Sequence, residues 1–122
     1  MNAKDKILIA KHLIESNYNQ MAQETLIDLE DPRLKITLVS GIIIYLQYNN
    51  HEQYSYSVIF SNAKLDRSRF DNYDDRWAVS TKPHHYHPKH QYDATISPMR
   101  GDPNQDIPLL FDLLLSGKLF HR

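Results

Sequence analysis

The strongest constraint on the fold is a period-two alternation that runs almost unbroken from residue 34 to residue 72. Leu34, Ile36 and Leu38 alternate with Lys35 and Thr37. Past Ser40-Gly41, Ile42, Ile44, Leu46 and Tyr48 line one face, and Ile43, Tyr45 and Gln47 the other. After the polar turn Asn49-Asn50-His51-Glu52 come Tyr54, Tyr56, Val58 and Phe60, alternating with Ser55 and Ser57; a strand over 65–72 follows the turn Ser61-Asn62-Ala63. Successive side chains on a strand point to opposite faces. Parallel neighbours need crossovers of a dozen residues or more, which these short turns cannot supply, so the strands predict an antiparallel meander.

The flanks have a different period. Ile7, Ala10, Leu13 and Ile14 recur at helical spacing and predict a helix over 4–16, with Lys4, Lys6, Lys11 and Glu15 free to face water. Residues 20–30 fit either a helix or a strand, and the strand reading over 24–30 is taken because Glu30-Asp31-Pro32 closes it as a turn. A leucine-rich helix is expected over 106–116, with Asp106 as its cap, Pro108 in its first turn and Gly117 at its C-terminal end. Residues 73–105, with Pro83, Pro88, Pro98 and Pro103, read as one long loop, ordered because it carries Trp77, Tyr86 and Tyr92. The expected architecture is α+β: an antiparallel β-meander of four to six strands, with an N-terminal and a C-terminal helix packed on one face. At 122 residues it is a single domain.

Composition narrows the chemistry. The chain has no Cys, which excludes disulfide scaffolds, thiol catalysis and cysteine zinc sites. A net charge of −1 excludes a globally basic nucleic-acid binder. The charge is uneven, however: residues 1–31 hold three Lys against six acidic residues, whereas 64–100 hold seven basic against five acidic residues and four of the seven His. The longest apolar run, Ile42 to Leu46, is far too short to span a membrane. The first residues lack the apolar core and cleavage site of a signal peptide, so a cytoplasmic location is expected. No Gly-rich phosphate loop or nucleophile elbow is present, and the sequence assigns no cofactor.

Two segments carry candidate chemistry. In Pro83-His84-His85-Tyr86-His87-Pro88-Lys89-His90, an extended backbone would point His85 and His87 the same way, with His84 and Tyr86 opposed. Paired imidazoles can share acid–base work near neutral pH, or bind a metal if His90 or Asp71 adds a third ligand. The plain alternative is a set of exposed or backbone-bonded His. In Leu65 to Asn72, Arg67, Arg69 and Asp71 share one strand face, where two guanidinium forks suit phosphate or carboxylate, or simply pair with Asp. The strand tyrosines Tyr45, Tyr48, Tyr54 and Tyr56 read as packing before they read as base-stacking platforms.

The order of these pieces resembles the TumE-like toxin family of bacterial type II toxin–antitoxin systems. The resemblance is carried by Tyr54-Ser55-Tyr56, Arg69-Phe70-Asp71-Asn72, Thr81-Lys82-Pro83-His84-His85-Tyr86-His87 and the helix opening at Asp106-Ile107-Pro108. It covers about residues 34–116. The chain departs from the family pattern at Tyr73-Asp74-Asp75-Arg76-Trp77, where the family places more His, and in an insert-like stretch from Gln91 to Gln105. The resemblance implies a toxin neutralised by a cognate helix-turn-helix antitoxin. Three activities are compatible with it. One is an enzyme acting on RNA or another nucleic acid, with His84, His85, His87, Arg67, Arg69 and Asp71 as the candidate site. Another is a non-catalytic binding protein that engages a protein partner through the same loop. The third is a metal-dependent hydrolase built on the His cluster. A homodimer is compatible with the sequence.

Overall fold

Local sequence explains where the chain begins to fold. The Asn2 side chain accepts a hydrogen bond from the Asp5 amide at 2.8 Å and caps helix α1, Ala3–Asn17. Ile7, Ala10 and Ile14 form its buried stripe. In the computed structural model, which describes residues 1–73 and 79–120, six strands follow: β1 Ala22–Asp28, β2 Arg33–Leu38, β3 Ile43–Tyr48, β4 Tyr54–Ile59, β5 Arg67–Asp71 and β6 His85–His87. Helix α2, Pro103–Leu115, closes the fold, with a short 3-10 turn over Lys118–Phe120. The strands pair antiparallel in chain order, β1 to β6, as one sheet. The expected α+β meander with terminal helices is the observed fold, and its strand count is the upper end of the expected range.

Register sorts every residue onto a face. One cross-strand row runs Leu34, Leu46, Tyr56, Phe70, Tyr86, and a second runs Ile36, Ile44, Val58, Ser68. These rows face the helices. Ile107, Leu110, Phe111 and Leu114 of α2 join Ile7, Ala10 and Ile14 of α1 in a single core with them. Tyr18, just past α1, stacks on Phe111 at 4.3 Å between ring centres. The other face carries Arg33, Gln47, Ser55, Asp71, His85 in one row and Lys35, Tyr45, Ser57, Arg69, His87 in the next. No helix covers it among the described residues.

Three local expectations are corrected. Residues 73–105 are not one loop: 85–87 add a strand to the sheet edge, and Thr95 then bridges back to Tyr86 through both backbone hydrogen bonds. Within that stretch Asp74, Asp75, Arg76 and Trp77 lie outside the described residues. Helix α2 starts at Pro103, not 106, with Asp102 as its cap. Asp106 is instead fully buried within the helix. Its carboxylate accepts from Tyr56 Oη at 2.7 Å and from the amides of Arg100 at 3.0 Å and Gly101 at 2.7 Å. Burial raises its pKa above the usual carboxylate range. Lastly, Lys6 does not face water. It is buried over the Tyr48 ring and pairs with Glu52 at 3.2 Å.

Gly117 does fall where the helix ends, with φ +78 just past the Ser116 cap. Leu110 has no solvent exposure. Leu110→Ala should therefore destabilise the fold by ~2–5 kcal/mol, from lost transfer energy plus the cavity left behind. Chemical denaturation with an unchanged m-value is the check.

Candidate functional site

The site begins with a three-residue ladder. Arg69 pairs His87, Phe70 pairs Tyr86, and Asp71 pairs His85. Phe70 and Tyr86 stack at 4.3 Å on the core face and lock this register. The alternation then forces Arg69, Asp71, His85 and His87 onto the opposite face.

There they converge. Asp71 Oδ1 lies 2.6 Å from His85 Nε2, and Oδ2 lies 2.5 Å from Arg69 Nε and 3.8 Å from His87 Nε2. The Asp71 and His85 side chains are each 2% exposed, and that of His87 is 17%. The two imidazoles meet edge to face at 4.8 Å. His85 Nδ1 is 2.9 Å from the Pro83 carbonyl oxygen, which fixes the ring's orientation. Burial pushes the Asp71 carboxyl up. His87, the Arg69 guanidinium and His85 outweigh that effect and hold it below the ordinary carboxylate value.

A pocket of about 530 Å³ opens beside this cluster on the helix-free face. Arg33, Tyr45, Ser57, Arg67 and Arg69 contribute to its sheet side, and His87 and Tyr92 to its loop side. His85 and Asp71 are not part of the lining. Arg67 lies four residues from Asp71, about 13 Å along an extended strand. It reaches the pocket and not the cluster.

The sequence-predicted residues therefore divide. Asp71, His85, His87 and Arg69 come together, and Arg67 lies further along the same face. His84 is on the other side of the strand, where its Nδ1 is 3.0 Å from Tyr54 Oη and its ring stacks on Tyr54. Burial lowers its pKa. His90 pairs with Asp66 at 3.7 Å and lines the pocket, so Asp71 and not His90 completes the His85–His87 group. Of the tyrosines, Tyr48, Tyr54 and Tyr56 are core. Tyr45 stands in the pocket, and sequence reasoning had not placed it there. Arg33 and Ser57 were missed for the same reason. Their parity shows that they alternate, but only the strand register shows that they share a face with Arg69.

No protein-family model matches the chain, and no curated protein or solved structure matches it. The likeness to TumE-like toxins accordingly rests on the motifs alone.

The lowered Asp71 pKa has a signed consequence. Its stabilising contribution is in place above the ordinary value of 3.8 and is lost as the pH falls through the lower folded-state value. Urea denaturation of the wild type between pH 6 and pH 2 should show a loss of stability on acidification that is smaller in Asp71→Asn. Parallel curves for the two proteins would show that Asp71 does not carry it.

Proposed function

We propose that this chain is the toxin of a type II toxin–antitoxin module and that it cleaves RNA in the pocket on the open sheet face. The observation that carries the reading is the convergence of Asp71, His85, His87 and Arg69 beside a pocket that Arg69 and His87 line together with Arg67, Tyr45 and Arg33. Arginines spread along one strand suit a polymer with repeated phosphates better than a compact anion. Tyr45 and Tyr92 offer rings for unpaired bases.

Strand cleavage by a neighbouring 2′-hydroxyl forms a bond from that oxygen to phosphorus and breaks the bond to the 5′-oxygen. A proton leaves the 2′-oxygen and one reaches the 5′-oxygen. His87 is the imidazole that faces the pocket, and imidazole is suited to moving protons near neutral pH. Arg69 can stabilise negative charge developing on the phosphoryl oxygens. His85, enclosed beside Asp71, acts on the reaction through the cluster and not by touching RNA. A cognate helix-turn-helix antitoxin follows from the resemblance, and the site of action proposed with it is the cytoplasm. No helix among the described residues is long and apolar enough to cross a membrane.

A second reading, a non-catalytic binding protein, is favoured by β1, which among the described residues is a free sheet edge and exposes Leu26 and Ile27. The two readings separate on expression. The wild type should arrest growth and cut RNA. His87→Ala and Arg69→Ala, checked for unchanged thermal melts, should lower cleavage by roughly 10²–10⁴-fold. Full toxicity in a folded His85→Ala/His87→Ala double variant would refute the RNA-cleaving site and favour the binding protein.

A further inference from the structure

Asp71, His85 and His87 present one ligand atom each, all within 4.8 Å of one another. Their protonation pattern makes this spacing informative. The Pro83 carbonyl can only accept, so His85 Nδ1 at 2.9 Å carries the hydrogen. A neutral His85 therefore has its lone pair on Nε2, the ring nitrogen nearest Asp71. The Asp71 carboxylate can also only accept, yet Oδ1 stands 2.6 Å from that nitrogen. Among the described residues neither atom has a hydrogen-bond partner, and both residues are about 1% exposed. Two buried lone pairs at this distance repel unless something positive lies between them: a second proton on His85, or a cation.

We infer that Asp71, His85 and His87 form a binding site for a divalent transition-metal ion, open toward the pocket. The donor set is two imidazole nitrogens and one carboxylate oxygen, which suits Zn²⁺, Co²⁺ or Mn²⁺. A ligating His ordinarily gives its other ring N–H to a backbone carbonyl or carboxylate, and His85 gives it to Pro83. Arg69 occupies Asp71 Oδ2, which His87 Nε2 approaches to 3.8 Å, and leaves Oδ1 to His85. Tetrahedral bonds of roughly 2.0–2.1 Å would set ligand atoms about 3.3 Å apart, so His85 and Asp71 part by less than about 1 Å on loading. Three protein ligands leave a coordination position for water on the side of His87, which lines the pocket.

This inference deepens the reading of the same site as an RNA-cleaving centre. In it His87 would be a ligand, and a bound metal would supply a base for the proton of the 2′-oxygen by lowering the pKa of its water, which could in turn return a proton to the leaving 5′-oxygen. Binding itself is testable without activity.

The full chain, stripped of metal and titrated calorimetrically with Zn²⁺, should bind one equivalent. Co²⁺ should give the visible absorption of a four-coordinate ion. His85→Gln, and the less buried His87→Gln as a second variant in case the first fails to fold, should weaken Zn²⁺ binding at least about 100-fold, at or beyond the upper end of the ~10–100-fold that an outer-shell loss costs. Nitrogen-15 spectra of the Zn²⁺-loaded wild type should show His85 protonated on Nδ1 with Nε2 bound to the metal. No stoichiometric binding by the metal-free protein would overturn the metal site and leave an imidazolium–carboxylate pair. RNA cleavage by that metal-free protein would leave the RNA reading standing. One bound Zn²⁺ without RNA cleavage would do the reverse.

Discussion

Everything chemical in this molecule depends on the register of β5 against β6. Three paired residues place Arg69 opposite His87 and Asp71 opposite His85. A slip by one residue would carry the imidazoles into the core and turn Tyr86 outward. What prevents the slip is on the other face, where Phe70 and Tyr86 stack. The aromatic pair gains nothing from being next to an ionic cluster. It acts through the pleat, which ties the orientation of one face to the packing of the other. The site is thus positioned by hydrophobic burial on the side where no chemistry occurs.

The core face has a polar device of its own. Tyr48 Oη and Tyr56 Oη are 2.9 Å apart, and Tyr56 donates to Asp106, so Tyr48 donates to Tyr56 in turn. The buried carboxylate is also held by the Arg100 and Gly101 amides. An unpartnered carboxylate at this depth would be strongly unfavourable, and the chain of donors offsets that cost. The network joins β3, β4, α2 and the segment entering α2. It fixes how the C-terminal helix sits on the sheet with a specificity that leucines alone do not provide.

Most of the fold was legible because strand periodicity is local. Alternation from Leu34 to Asp71 marked β2 to β5 within one or two residues, and helical spacing marked α1. Strand β1 was readable only as one of two alternatives, because its exposed residues carry no inward stripe. Strand β6 was not legible. Three residues between prolines have no period to detect, and their strand geometry comes from the edge of β5. The two-sided reading of His85 and His87 nonetheless held, since it needed only an extended backbone. Asp106 misled because an acidic residue before a leucine run reads as a cap. Only the partners Tyr56, Arg100 and Gly101, distant or non-helical, show that it is a buried acceptor. Arg67 and Arg69 were visible as neighbours on a strand face. Their relation to Tyr45 and Arg33 was not, because it exists only across four strands.

The cluster also sits on the least supported part of the sheet. Strand β6 is three residues long and is the last strand of the sheet, backed among the described residues only by β5 and the bridge from Tyr86 to Thr95. Short edge strands open at a lower free energy than central ones. Asp71, by contrast, is on β5, which β4 supports along its length. Whatever positive charge joins His85 to Asp71 therefore joins a weak element to a strong one. Proton or metal, it stabilises the β6 edge as well as the site, because a ligand that binds only the closed form shifts the equilibrium toward it. The Phe70–Tyr86 stack and this ionic contact hold the same two strands from opposite faces. Order in the pocket wall that begins at His87 depends on both.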